Sequence, residues 1–195
     1  TNNCQSSVPV TINEPTAGSA VVAGTDVVCN GDATGIIEIT ANVGGTPDYE
    51  YSLDSINGWT GVTFASGVMQ TENVSEGRYV VLVRDANGCI IYNNPLVINE
   101  PLVLSETVVT QNSTCGLSNG QVTITVSGGT GNVTVDLPGG TPVSATSPAT
   151  FTGLSAGVTY NWTASDDALC EITGSFTLSN DASPVIDSLI GSVIG

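Results

Sequence analysis

Cysteine is the most reactive side chain in this sequence, and it occurs five times, at positions 4, 29, 89, 115 and 170. No two stand in the C-x-x-C spacing of a zinc site, so oxidation to disulfides in an oxidising compartment is expected. Two other groups have types and spacings that suggest chemistry. Gly116-Leu-Ser-Asn-Gly120 has the spacing of a nucleophile elbow around Ser118. That elbow needs a strand-to-helix turn and a base, whereas this segment leads into a strand-like run in a chain without histidine. Catalysis by Ser118 is not expected, and the chain reads as non-enzymatic. Asp85-Ala-Asn-Gly88 opens as a calcium loop does but lacks the third oxygen ligand and the distant Glu. Asp85 is expected instead to bond the backbone of its own turn. No cofactor is required. Calcium at the repeat junctions, on Glu14, Asp85 and Glu100, is the alternative, and solubility explains the acidity equally well.

These groups must be positioned by strands. Tyr79, Val81 and Val83 alternate with Val80, Leu82 and Arg84, and Asn87-Gly88 supplies the positive-φ pair of a tight hairpin. Cys89 sits at the turn exit. The unit returns in degraded form at residues 160–172, ending in Cys170, and its last part appears as Asn3-Cys4. Val, Ile and Thr are abundant and good helix formers scarce, so the class is all-β. Two Arg, no Lys and a net charge of −16 argue against nucleic acid, whose binding is dominated by cationic contacts to phosphate, and against anionic membrane surfaces. No apolar run approaches the ~20 residues of a membrane helix.

The chain is a tandem array. Val10-Thr-Ile-Asn-Glu-Pro15 matches Leu96-Val-Ile-Asn-Glu-Pro101, and each Pro is followed 14 positions later by a cysteine, Cys29 or Cys115. A Gly-containing turn, an alternating strand and Gly-Gly-Thr (residues 44–46 and 128–130) follow in both copies. Internal similarity of this length dictates the architecture: immunoglobulin-like β-sandwich repeats in a serial, extended arrangement. The expected boundaries are 1–15 as the closing strand of a preceding repeat, 16–101 and 102–182 as two repeats, and 183–195 as an opening strand of the next. That last segment can also serve as a strand given to a neighbouring subunit. Within each copy the first and last cysteines, Cys29 with Cys89 and Cys115 with Cys170, can pair to close a long loop, worth about 4 kcal/mol in the loop-entropy model. Cys4 is then expected to bond a cysteine outside this chain, the alternative being a free or intermolecular thiol. Val8, Val10 and Ile12 at the front, and Val185, Leu189 and Ile190 at the back, present apolar edges that need covering by neighbouring repeats or subunits.

Tyr49 and Tyr51 share one side of a strand and are expected in the core, as is Trp162 at the place of Val81. Trp59, in the insertion 54–61, is the best candidate for contact with a glycan. Asn73, Asn112, Asn132 and Asn161 fit N-x-Ser/Thr, the acceptor pattern of N-glycosylation.

Cys29-Asn-Gly, Gly-Gly-Thr-x-x-Tyr-x-Tyr-Ser-Leu-Asp, Gly77-Arg-Tyr-Val-Val-Leu-Val-Arg-Asp-Ala-Asn-Gly-Cys89 and Ile98-Asn-Glu-Pro101 occur in this order. Together they resemble the SprB-type repeat of Bacteroidetes surface proteins, including gliding-motility adhesins. The second copy departs from it, with Asp-Asp-Ala-Leu-Cys at 166–170. The resemblance implies export through the type IX system, display on the cell surface, and repeats in an adhesive stalk or filament. It also gives weight to Ser55 and Ser188, which fit the Asp-Ser/Thr-apolar pattern of O-glycosylation in that phylum. The expected partners are neighbouring repeats or subunits, and surface polysaccharide. The alternatives are a carbohydrate-binding module and a discrete self-assembling filament subunit.

Overall fold

The structure is a computed structural model, and it describes residues 4–54, 58–60, 63–142 and 144–182. Ser55, Ser188 and the whole segment 183–195, with Val185, Leu189 and Ile190, lie outside the described residues. Every regular element described is a strand. The chain is all-β and forms two units. The first takes in the residues up to Val27 together with Asp32–Asn99; the second takes in Val28–Gly31 and the chain from Glu100 onward.

In the first unit β1 (Ser19–Thr25), β2 (Gly35–Val43) and β5 (Met69–Val74) form one antiparallel sheet, ordered β1-β2-β5. The other sheet, ordered β4-β3-β6-β7, contains β3 (Tyr49–Ser52), β4 (Thr63–Phe64), β6 (Gly77–Arg84) and β7 (Ile90–Ile98). Alternation dictates which side chains meet between them. Ile37, Ile39 and Ala41 of β2 are fully buried, and so are Val81 and Val83 of β6, with Tyr49 and Tyr51 of β3 in the same cluster. The tyrosines pack on Phe64 at ring separations of 5.8 and 6.2 Å. Tyr51 O–H reaches the Glu72 carboxylate. Burial first, and then that hydrogen bond and charge, push its phenol up to about 12.

The second unit repeats the plan with β8 (Leu102–Gln111), β9 (Ser113–Thr114), β10 (Gly120–Gly129), β11 (Val133–Asp136), β12 (Ser144–Thr146), β13 (Ala149–Leu154), β14 (Thr159–Asp166), β15 (Glu171–Thr177) and β16 (Asn180–Asp181). Its sheets run β13-β10-β8 and β12-β11-β14-β15, and a short parallel pair, β9 with β16, is added. Three strands facing four, joined with the same connectivity in both units, make each an immunoglobulin-like β-sandwich. A tyrosine lies near the start of the equivalent strand in both. Tyr79 O–H donates to the Ser75 carbonyl at 2.9 Å, while Tyr160 Oη accepts the Ser155 N–H at 2.8 Å. Trp162 is buried at the centre of the second core, as expected. It faces Gly174 on β15, where an added Cβ would lie 2.4 Å from the indole ring.

Residues 4–18 form no strand, and Val8, Val10 and Ile12 stand largely exposed.

Candidate functional site: the capped hairpin and its cysteine

The β6–β7 hairpin ends in a staple built from one carboxylate. Asp85 is buried beside the turn; its Oδ1 accepts the N–H groups of Asn87 and Cys89 at 3.0 and 2.9 Å, and its Oδ2 that of Thr46 at 2.9 Å. Asp166 does the same in the second unit, taking Ala168 and Cys170 at 2.9 Å each and Thr130 at 2.7 Å. The third donor explains why both copies keep Gly-Gly-Thr. Gly44 and Gly128 have positive φ, and a Cβ on either would fall 2.1 Å from the carbonyl of Ala17 or Val103. Only glycine lets that turn pass so close to the incoming chain. The Asp85 carboxyl is held below its usual value by the Thr46 N–H and then the Cys89 N–H, against some burial. For Asp166 burial pushes upward, but the N–H groups of Thr130, Cys170 and Ala168 more than offset it. The expected backbone-bonding role of Asp85 is what the structure shows.

The cysteine pairing differs from expectation. Cys29 is bonded to Cys170, with their Cα atoms 5.6 Å apart, while Cys4, Cys89 and Cys115 are free and exposed. The Cys29–Cys89 and Cys115–Cys170 pairs are therefore corrected, and the reason is strand length. Val27, two residues before Cys29, donates its N–H to the Asn99 carbonyl just beyond the end of β7, and Cys89 lies just before that strand begins. Nine residues of strand span about 30 Å at ~3.3 Å per residue, and two residues of chain recover only about 7 Å of it. A disulfide needs Cα atoms within about 7 Å. Cys115 is likewise fixed beyond the far end of β15 from Cys170, its N–H on the Asp181 carbonyl and that of Gly116 on Asn180 Oδ1. Each repeat therefore carries one cysteine at each end of its sandwich, out of reach of the other.

Cys29 instead belongs, with Val28–Gly31, to the second unit. There Gly31 N–H donates to Glu100 Oε2 at 2.7 Å, and Asn30 Nδ2 to the Pro101 carbonyl at 3.0 Å. In the first unit the corresponding Glu14, Pro15 and Cys89 line an open cavity of about 280 Å³, together with Gly18, Asp85 and Ile91.

The SprB-repeat family model matches the chain at residues 21–58 and again at 107–142. The two matches stand in tandem, one for each unit. Each match contains the loop cysteine, Cys29 or Cys115, and the Gly-Gly-Thr that feeds the staple, and stops short of the hairpin Asp and Cys. Among curated proteins none matches the sequence. Two of the solved structures that resemble the chain illustrate the likeness. One is a C-terminal 282-residue fragment of intimin in complex with the intimin-binding domain of the translocated intimin receptor, at 16% identity and TM-score 0.46, over 87% of this chain and 66% of that one. The other comprises fibronectin(III)-like modules of Clostridium thermocellum CbhA, at 14% identity and TM-score 0.31, over 83% of this chain and 94% of that one. No residue role passes across at these identities.

The remaining candidates are spread over both units. Trp59 is half-buried and one face is taken, with Arg84 Cζ 4.1 Å from the ring centroid. Arg84 is held there by Glu50 Oε2, which accepts its Nε at 2.8 Å. Ser118 hydrogen-bonds Ser155 Oγ at 2.7 Å and leads into a strand, the opposite of an elbow. Glu14 and Asp85 share the cavity, but Asp85 spends both oxygens on backbone N–H groups, and Glu100 takes Gly31. Among the described residues no three acidic or cysteine side chains group to hold a metal ion. Sequence reasoning missed the cavity and its filled counterpart. The signal was present in the repeated Glu-Pro and its fixed distance to the next cysteine.

Proposed function

We propose that this chain is a non-enzymatic segment of a long, secreted surface protein, an adhesin stalk or cell-surface filament of the kind used in gliding motility. The observation that carries this reading is the tandem SprB repeat, in which two units reproduce the same sandwich, the same Asp-capped hairpin and the same loop cysteine. A repeat plan of this kind suits length and display. The disulfide fits an oxidising exterior. Sixteen net negative charges and almost no cations keep neighbouring stalks apart and soluble. The partners are other repeats of the same kind, with surface polysaccharide as the target of the finished stalk. The test is antibody labelling of intact cells that express the complete gene product, with and without protease shaving, alongside attachment and gliding of a deletion strain. Labelling that requires cell lysis would overturn the reading.

A further inference from the structure

We infer that the cavity beside Cys89 is a docking and cross-linking site for the Cys-Asn-Gly loop of another SprB repeat, which seats on Glu14 and Pro15 and closes a disulfide to Cys89. The inference rests on the array reading and adds its joining chemistry. Its template lies within the same chain. In the second unit the loop 28–31 sits on the equivalent residues, with Cys29 bonded to Cys170, Gly31 N–H on Glu100 Oε2 and Asn30 Nδ2 on the Pro101 carbonyl. In the first unit the hairpin cysteine, the glutamate and the proline are all present, and they line open space of about 280 Å³. Cys89 is exposed and lies a strand's length from its own repeat's loop cysteine, so a Cys-Asn-Gly loop that reaches it comes from another repeat. The occupant is thereby specified: a loop with a thiol, followed two residues later by a backbone N–H that Glu14 can accept.

The bond forms by oxidation of two thiols. Each loses its hydrogen, and the two electrons and two protons pass to a disulfide oxidant, which is reduced to two thiols. The path is a mixed disulfide that the second thiolate attacks. Cys115, exposed at the other end of the second repeat, is this chain's own contribution to the next such joint.

The experiment uses the whole chain carrying Cys4→Ser, leaving Cys89 and Cys115 as the free thiols. The probe is a synthetic peptide of residues 26–34 whose cysteine is activated as a mixed disulfide with thionitrobenzoate; glutathione activated in the same way is the sequence-neutral control. Coupling at each thiol is followed by peptide mapping. The expected result is a preference of the peptide for Cys89 over Cys115 that the control reagent does not share. That preference should be lost with Glu14→Gln, and lost with a peptide carrying Gly31→Pro, which has no N–H to donate. The peptide is acidic, so removing the Glu14 charge would on electrostatic grounds alone speed coupling; slower coupling therefore reports the hydrogen bond. The same discrimination for peptide and control, or a Glu14→Gln chain that couples as before, overturns the inference. Failure of surface labelling would sink the array reading while leaving this binding result intact.

Discussion

Asp166 accepts the backbone N–H of Cys170 at 2.9 Å, so the residue that closes the hairpin also holds the cysteine that carries the disulfide. Asp85 and Cys89 stand in the same relation, at the same distance. The cysteine position is preset by the turn before any bond forms, which is why the free thiol of the first unit is presented much as the bonded one is.

Acid titration should reveal both staples. Each folded carboxyl lies below its usual value, so its stabilisation is complete above the unfolded value of about 4 and is lost as pH falls through the folded value. Urea midpoints should hold steady from neutrality down to about pH 4 and then drop. Asp85→Asn and Asp166→Asn should each lower the midpoint of their own unit at neutral pH and flatten its acid limb. A midpoint that rises on acidification would contradict the assignment.

Trp162 has room only because residue 174 is glycine. Gly174→Val must push the ring or the strand aside, and overpacking of this kind costs about 1–3 kcal/mol. Trp162→Ala should cost about 3–5 kcal/mol. Chemical denaturation of the second unit checks both; an unchanged midpoint for Gly174→Val would mean that the pair is looser than its 2.4 Å approach indicates.

The disulfide spans 141 residues of sequence. One cut anywhere between Gly31 and Leu169 should therefore leave two fragments that migrate together until reduced. Cys29→Ser should lower the stability of the second unit by about 2–5 kcal/mol, toward the low end because a folded first unit already shortens the effective loop. Intact first-unit stability in the same variant, read by its own transition, is the control.

Arg84 covers one face of Trp59 and pairs with Glu50, both carboxylate and guanidinium being only partly exposed. Arg84→Ala should cost about 0.5–1 kcal/mol and shift Trp59 emission to longer wavelength. The stalk reading expects no glycan-array binding by the isolated chain. Binding that disappears with Trp59→Ala would favour the carbohydrate-binding alternative.

The strands, their inward faces and the tandem plan were readable from the chain itself. Alternation at Ile37-Ile39-Ala41 and Tyr79-Val81-Val83 has one physical solution, in which one set of side chains leaves water. The role of Asp85 was also readable, because a carboxylate one residue before a turn has backbone N–H groups within reach wherever the hairpin lies. The cysteine pairing was not. Matching positions in a repeat show which residues are equivalent, but not which end of the sandwich each occupies. That depends on the direction of β7 and β15 and on their length, which put some 25–30 Å of extended backbone between cysteines that the repeat pattern had placed in one closed loop. Only the assembled sandwich decided that Cys29 joins Cys170 and that Cys89 is left beside an open cavity, because a disulfide answers to distance in space and not to position in a repeat.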